Sequence, residues 1–155
     1  MRRTIERGGA SWAWLALALA VLPACSSATP TAASSDPPCV TGLTPSCAAT
    51  YAPPTYDTIF TNIFQSNCSV GTGTCHTPDF GAGGLVFADE STSYATLLGS
   101  NGSTALVLPN DPGCSTLMKR LTSSDPSYHM PRGSTSLSNG DLCTIVQWID
   151  KGAQR

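Results

Sequence analysis

The chain has 155 residues, with 8 Lys or Arg against 10 Asp or Glu and a formal net charge of −2 at pH 7. So weak and slightly acidic a balance offers no basic surface and gives no reason to expect nucleic acid as a partner. The chemical question is set instead by its 7 cysteines.

Arg2, Arg3 and Arg7 precede an uncharged apolar run from Trp12 to Leu22, which ends in Leu22-Pro23-Ala24-Cys25. The run is short for a bilayer span and has the charged, apolar and small-residue layout of a secretory signal, so residues 1–24 are expected to be removed. A small residue followed by cysteine resembles the bacterial lipobox, which implies lipidation of Cys25 and a mature lipoprotein anchored in a membrane. Ordinary signal cleavage, with Cys25 a spare thiol, is the alternative. Ser26 stands where an Asp would retain a lipoprotein in the inner membrane, so the expected place is the periplasmic side of the cell envelope, at the outer membrane. Thiols do not stay free there. Six cysteines remain after Cys25 (Cys39, Cys47, Cys68, Cys75, Cys114 and Cys143). That number suits three bridges, or two bridges and two thioether links.

Residues 25–54 are rich in Ala, Ser, Thr and Pro with no apolar periodicity, which reads as a solvated tether. Cys39 and Cys47 are expected to close a small local disulfide loop inside it. Residues 55–155 then make one domain of the common single-core size. Thr55 is placed to cap a helix whose stripe is Tyr56, Ile59, Phe60, Ile63 and Phe64. Glycines 71, 73, 81, 83 and 84 interrupt regular structure until Leu85-Val86-Phe87. Glu90 to Leu98 predicts a short helix stopped by Gly99. Asn110-Asp111-Pro112 suits a helix start, with Cys114, Leu117, Met118 and Leu121 following at helical spacing. Ser138 and Asp141 resemble a capping box ahead of a terminal stripe of Leu142, Ile145, Val146 and Ile149, closed by Gly152. The fold class is mostly α: a small bundle of short helices on long Gly/Pro loops, and loops of that length need anchors. A Cys114–Cys143 bridge is one expected anchor.

The other lies in Asn67-Cys68-Ser69-Val70-Gly71-Thr72-Gly73-Thr74-Cys75-His76. With two residues between the cysteines this would be the attachment sequence of c-type haem; six intervene. Haem attachment needs two thiols for the porphyrin vinyl groups and a histidine directly after the second, so that the ring reaches the iron. The insert is small and glycine-bearing, so it can bulge outward, and Cys75-His76 is kept. On the opposite face Met130, fixed by Pro131, offers a soft thioether that raises the reduction potential relative to bis-histidine ligation; His129 is its rival. Read alone, Cys68 and Cys75 suit a plain disulfide equally well.

In order, the chain presents an amphipathic helix, Cys…Cys-His, Gly83-Gly84-Leu85, Ser93-Tyr94-Ala95-Thr96-Leu97-Leu98, and Pro109-Asn110-Asp111-Pro112 before Cys114-Ser115. Met130-Pro131 and Trp148-Ile149-Asp150-Lys151-Gly152-Ala153 complete it. This series resembles small class I c-type cytochrome domains, over about residues 56–155. The resemblance implies a cytochrome c-like fold with one haem c. Cys68 and Cys75 would be its thioether sites, His76 the proximal and Met130 the distal ligand, and His129 the alternative. The implied function is electron transfer with an unknown redox partner, not catalysis; no nucleophile motif or carboxylate pair stands out. The rival is a haem-free lipoprotein interaction module of the same ancestry, stapled by Cys39–Cys47, Cys68–Cys75 and Cys114–Cys143.

Overall fold

A computed structural model describes residues 37–69, 74–133 and 136–155. The expected signal segment, the lipidation site at Cys25 and most of the insert between Cys68 and Cys75 therefore lie outside the described residues. Among those described there are short helices and no strand. None of the described helices is long and apolar enough to cross a membrane.

Helix α1 spans Tyr56–Ile59 and continues as a π-helical stretch, Phe60–Ser69. The Thr55 hydroxyl accepts from Thr58 N–H at 3.3 Å and caps it, as such a side chain does for an unpaired N-terminal amide. The stripe expected from spacing is the buried one: Tyr56, Ile59, Phe60, Ile63 and Phe64 are each no more than 7% exposed. The π geometry is the difference, since the stripe predicts an ordinary α-helix throughout. Runs of this kind are rare and concentrate at functional positions, and this one ends at Cys68-Ser69.

Helix α2 is Glu90–Leu98, capped by Asp89, whose carboxylate accepts from Thr92 N–H at 2.7 Å. Gly99 ends it in the left-handed region at φ 71°. A Cβ there would lie 2.8 Å from the Ser103 carbonyl oxygen and 2.9 Å from the Ala105 nitrogen. Left-handed backbone alone costs an L-residue about 1–2 kcal/mol, and the backbone clash adds to it. Gly99→Ala should lower the unfolding free energy by about 2 kcal/mol. A thermal melt matching wild type would contradict the turn.

Helix α3 is Thr116–Thr122, starting later than the Asn110-Asp111-Pro112 signal suggests. The reason is local. The Asp111 carboxylate accepts from Cys114 N–H at 2.9 Å, while the Ser115 hydroxyl donates to the Asp111 carbonyl at 2.8 Å and accepts from Leu108 N–H at 2.9 Å. Side chains satisfy the backbone in a turn before the helix can begin. Helix α4, Asn139–Asp150, starts where expected, with Ser138 accepting from Asp141 N–H at 3.1 Å. It buries Ile145, Val146 and Ile149 together with Cys143, Thr144 and Trp148.

The core sits where α1 meets α4. Tyr56 packs against Trp148 at 5.4 Å and Tyr94 at 4.9 Å between ring centroids, and Phe64 stacks on Phe87 at 4.6 Å. The buried hydroxyl of Tyr56 bonds to Ser93 Oγ at 2.7 Å, and Trp148 Nε1–H donates to the Gln154 carbonyl at 2.8 Å.

Residues 37–54 correct the expectation of a free tether. They form a strap across the helices. Val40 N–H donates to the Gly113 carbonyl at 2.9 Å, Thr50 N–H to the Gly140 carbonyl at 3.0 Å, and Tyr51 N–H to Thr144 Oγ1 at 3.2 Å. The cysteine pairing is correspondingly different from the expected one. Cys39 bonds to Cys114 and Cys47 to Cys143, with Cα–Cα distances of 4.4 and 5.8 Å. Neither a Cys39–Cys47 nor a Cys114–Cys143 bridge forms, because the strap carries each of its cysteines onto a helical one. The approach is close enough that a Cβ at Gly113 would stand 2.7 Å from the Val40 carbonyl oxygen.

Candidate functional site

The π-helical stretch delivers Cys68 to the edge of the core, where it is half-buried and packed against the apolar cluster. Its sulfur is free. Burial pushes the thiol pKa up to about 12, so it stays protonated and unreactive toward oxidants that need a thiolate. Cys75 lies on a 3₁₀ turn, Thr74–His76, and is disulfide-bonded, but not to Cys68. The Cys68–Cys75 bridge, the open alternative of the sequence reading, is not formed.

His76 is held at both its backbone and its ring. After the turn the chain doubles back through Gly81–Gly84, and Phe87 N–H donates to the His76 carbonyl at 2.9 Å. The same return puts the Leu85 carbonyl 3.0 Å from His76 Nδ1. A carbonyl only accepts, so Nδ1 must carry the proton. In the neutral ring the lone pair is then on Nε2, the arrangement in which a histidine binds a metal while a backbone acceptor orients it. The ring stands edge-on to Phe87 at 5.5 Å. Burial lowers its pKa, and the positive charge of Arg120 lowers it further, against the raising effect of the Leu85 and Ala82 carbonyls. The imidazole is thereby kept neutral, as ligation requires.

Met130 comes from a separate loop. It is half-buried against the core, and its N–H donates to the Arg120 carbonyl at 3.0 Å. The approach to it is built on Asp125, whose carbonyl accepts from Tyr128 N–H at 3.0 Å and His129 N–H at 2.7 Å. The Asp125 carboxylate accepts from Ser127 N–H and Oγ at 2.8 and 2.7 Å. Those hydrogen bonds hold its pKa below the usual carboxylate value. His129 Nδ1 donates to the Ser123 carbonyl at 2.8 Å. The histidine lines a cavity of about 340 Å³ with Ser123, Ser124, Pro126, Gly133 and Ser136. Neither His76 nor Met130 is among the described residues lining it.

Arg120 is the residue common to the surroundings of His76 and Met130, through its charge at the first and its carbonyl at the second. Its guanidinium lies 4.4 Å over the Tyr128 ring. Sequence reading did not find Arg120, Leu85 or Phe87 as parts of the site. Leu85 acts through a backbone carbonyl, which no residue type announces, and the only trace was an apolar run resuming after glycines.

The donor chemistry fits a c-type haem at His76, with a lone pair on Nε2 and an oriented ring, and at Cys68, where a thiol persists beside apolar surface. Cys75 is disulfide-bonded in this structure and would offer a second thiol only in its reduced form. No curated protein and no solved structure matches the chain. The family described as Planctomycete cytochrome C matches residues 73–133, a stretch that holds Cys75, His76, His129 and Met130 and begins after Cys68. Together with a fold of short helices and no strands among the described residues, that match supports a cytochrome c-like domain in this chain.

Proposed function

We propose that the chain is an electron-transfer lipoprotein carrying one covalent haem c, bound through Cys68 and Cys75, with His76 as proximal and Met130 as distal ligand. The observation that carries the reading is the His76 ring: Nδ1–H fixed on the Leu85 carbonyl at 3.0 Å, directly after a cysteine, inside the stretch that matches a cytochrome family. Bound there, the haem supplies one centre that takes up and releases a single electron. The protein's part is to hold it. Leu85 sets the tautomer and direction of the imidazole. Phe87 and the neighbouring core exclude water from one side of that ring. Arg120 biases the ring toward the neutral form, and the Met130 thioether favours the reduced iron relative to a second imidazole. Were His76 and Met130 both to hold the iron, the chain would leave it no open position for a substrate, which suits a carrier of electrons.

On this reading Cys25 bears the lipid and anchors the molecule to the membrane on the periplasmic side of the envelope, at the outer membrane. The strap from residue 37 keeps the anchored segment tied to the domain. The electron would pass to and from a redox protein in that compartment. A spectroscopic redox titration of the exported protein should give one reversible one-electron wave, and a protein with no optical change across the titration would contradict the assignment.

The disulfide at Cys75 favours a second reading, a haem-free interaction module of cytochrome ancestry. It would rest on the Cys39–Cys114 and Cys47–Cys143 bridges rather than on the three expected from sequence.

A further inference from the structure

The loop that bears Met130 is held by one side chain of α3. Arg120 is half-buried near the C-terminal end of that helix, and its guanidinium lies 4.4 Å over the face of the Tyr128 ring. Two residues on, Met130 N–H donates to the carbonyl of the same Arg120 at 3.0 Å. Side chain and backbone of one residue thus grip two points of one turn. No carboxylate among the described residues forms an ion pair with Arg120, whereas Arg155 pairs with Glu90. Its guanidinium faces the aromatic ring instead. A guanidinium is suited to this because it is planar and weakly hydrated, which a lysine ammonium is not. Within the turn, Tyr128, His129 and Met130 are consecutive, so a shift of one residue would exchange a thioether for an imidazole.

We propose that Arg120 is a positioning residue which, by stacking on Tyr128, fixes the register of this turn so that Met130 and not His129 is presented as distal ligand. The proposal rests on the haem reading for its consequence but not for its geometry, and the two can be tested apart. In haem-free protein, Arg120→Gln should speed hydrogen exchange at the Met130 amide by roughly two- to five-fold, the range expected of an exposed cation–π contact. The Ile145 amide in α4 should be unaffected. Tyr128→Leu should give the same increase, and combining it with Arg120→Gln should add nothing further, as for two partners of one contact. Arg120→Lys should rescue only in part. In haem-loaded protein, Arg120→Gln should show a fraction of molecules with the optical signature of bis-histidine ligation, abolished by adding His129→Ala. Unchanged exchange at Met130, or an equal rise at Ile145, would overturn the clamp. If wild type takes up no haem while the exchange pattern holds, the electron-transfer reading fails and the clamp stands. If haem is bound and Arg120→Gln leaves its ligation untouched, the register role is refuted.

Discussion

His76→Ala, exported beside wild type in a strain that matures c-type cytochromes, should retain at least roughly tenfold less haem per folded protein. That floor is set by what loss of an outer partner to a metal-bound histidine typically costs, and removing the ligand itself must cost no less. The expectation is specific because the substitution spares the fold. His76 is half-buried on a short turn, and the contacts it shares with Leu85 and Phe87 are partly backbone ones that alanine keeps, including Phe87 N–H to the residue 76 carbonyl at 2.9 Å. Thermal melts of the haem-free proteins should therefore lie close together while their absorption spectra differ. A variant that stays as red as wild type would show that the iron is held without His76.

Removing the Cys47–Cys143 bridge, by changing both residues to alanine so that no lone thiol is left, is expected to destabilise the domain by about 4–5 kcal/mol in the chain-entropy account. The bond closes a separation of 96 residues. It also pins a strap that puts Leu43 and Tyr51 against the core, and Cys143 is 3% exposed. Since small domains are stable by only about 5–15 kcal/mol, a loss of this size should leave a substantial fraction unfolded near physiological temperature. The Cys39–Cys114 bond, with a separation of 75 residues, overlaps the same stretch of chain. The two bridges will therefore not act additively. Denaturant titration measures the loss, and a change below about 1 kcal/mol would mean that strap and helices hold together without the bond. Peptide mapping of unreduced protein checks the pairing itself.

The helices were legible wherever burial and capping act within a few residues. Thr55, Gly99 and Ser138 mark ends that the structure keeps, and the Tyr56 to Phe64 stripe is the buried face of α1 and its continuation. The π geometry was not legible, because Phe60, Ile63 and Phe64 would face inward in an α-helix as well; the stripe is silent on which carbonyl each amide chooses. The start of α3 was misplaced because Asp111 and Ser115 bond to nearby backbone, a competition that the same residue types announce as a helix start. The strap was misread for a different reason. A segment without periodicity is solvated only if nothing covers it; Leu43 packs against the core, and Cys39, Cys47 and Tyr51 are held by partners 75 or more residues away in sequence. At the site, Cys75-His76 and Met130 were visible as motif and order. The Leu85 carbonyl and the Arg120 contacts were not, since one is main chain and the other depends on how α3 lies beside two loops.

The most direct test is the intact mass of the exported wild-type chain after denaturation and reduction, with any free thiol alkylated. The account predicts the polypeptide with its lipid at Cys25 plus one haem, with Cys68 and Cys75 both protected from the alkylating reagent. A mass without the haem, lipidated or not, with both of those sulfurs alkylated, would contradict it.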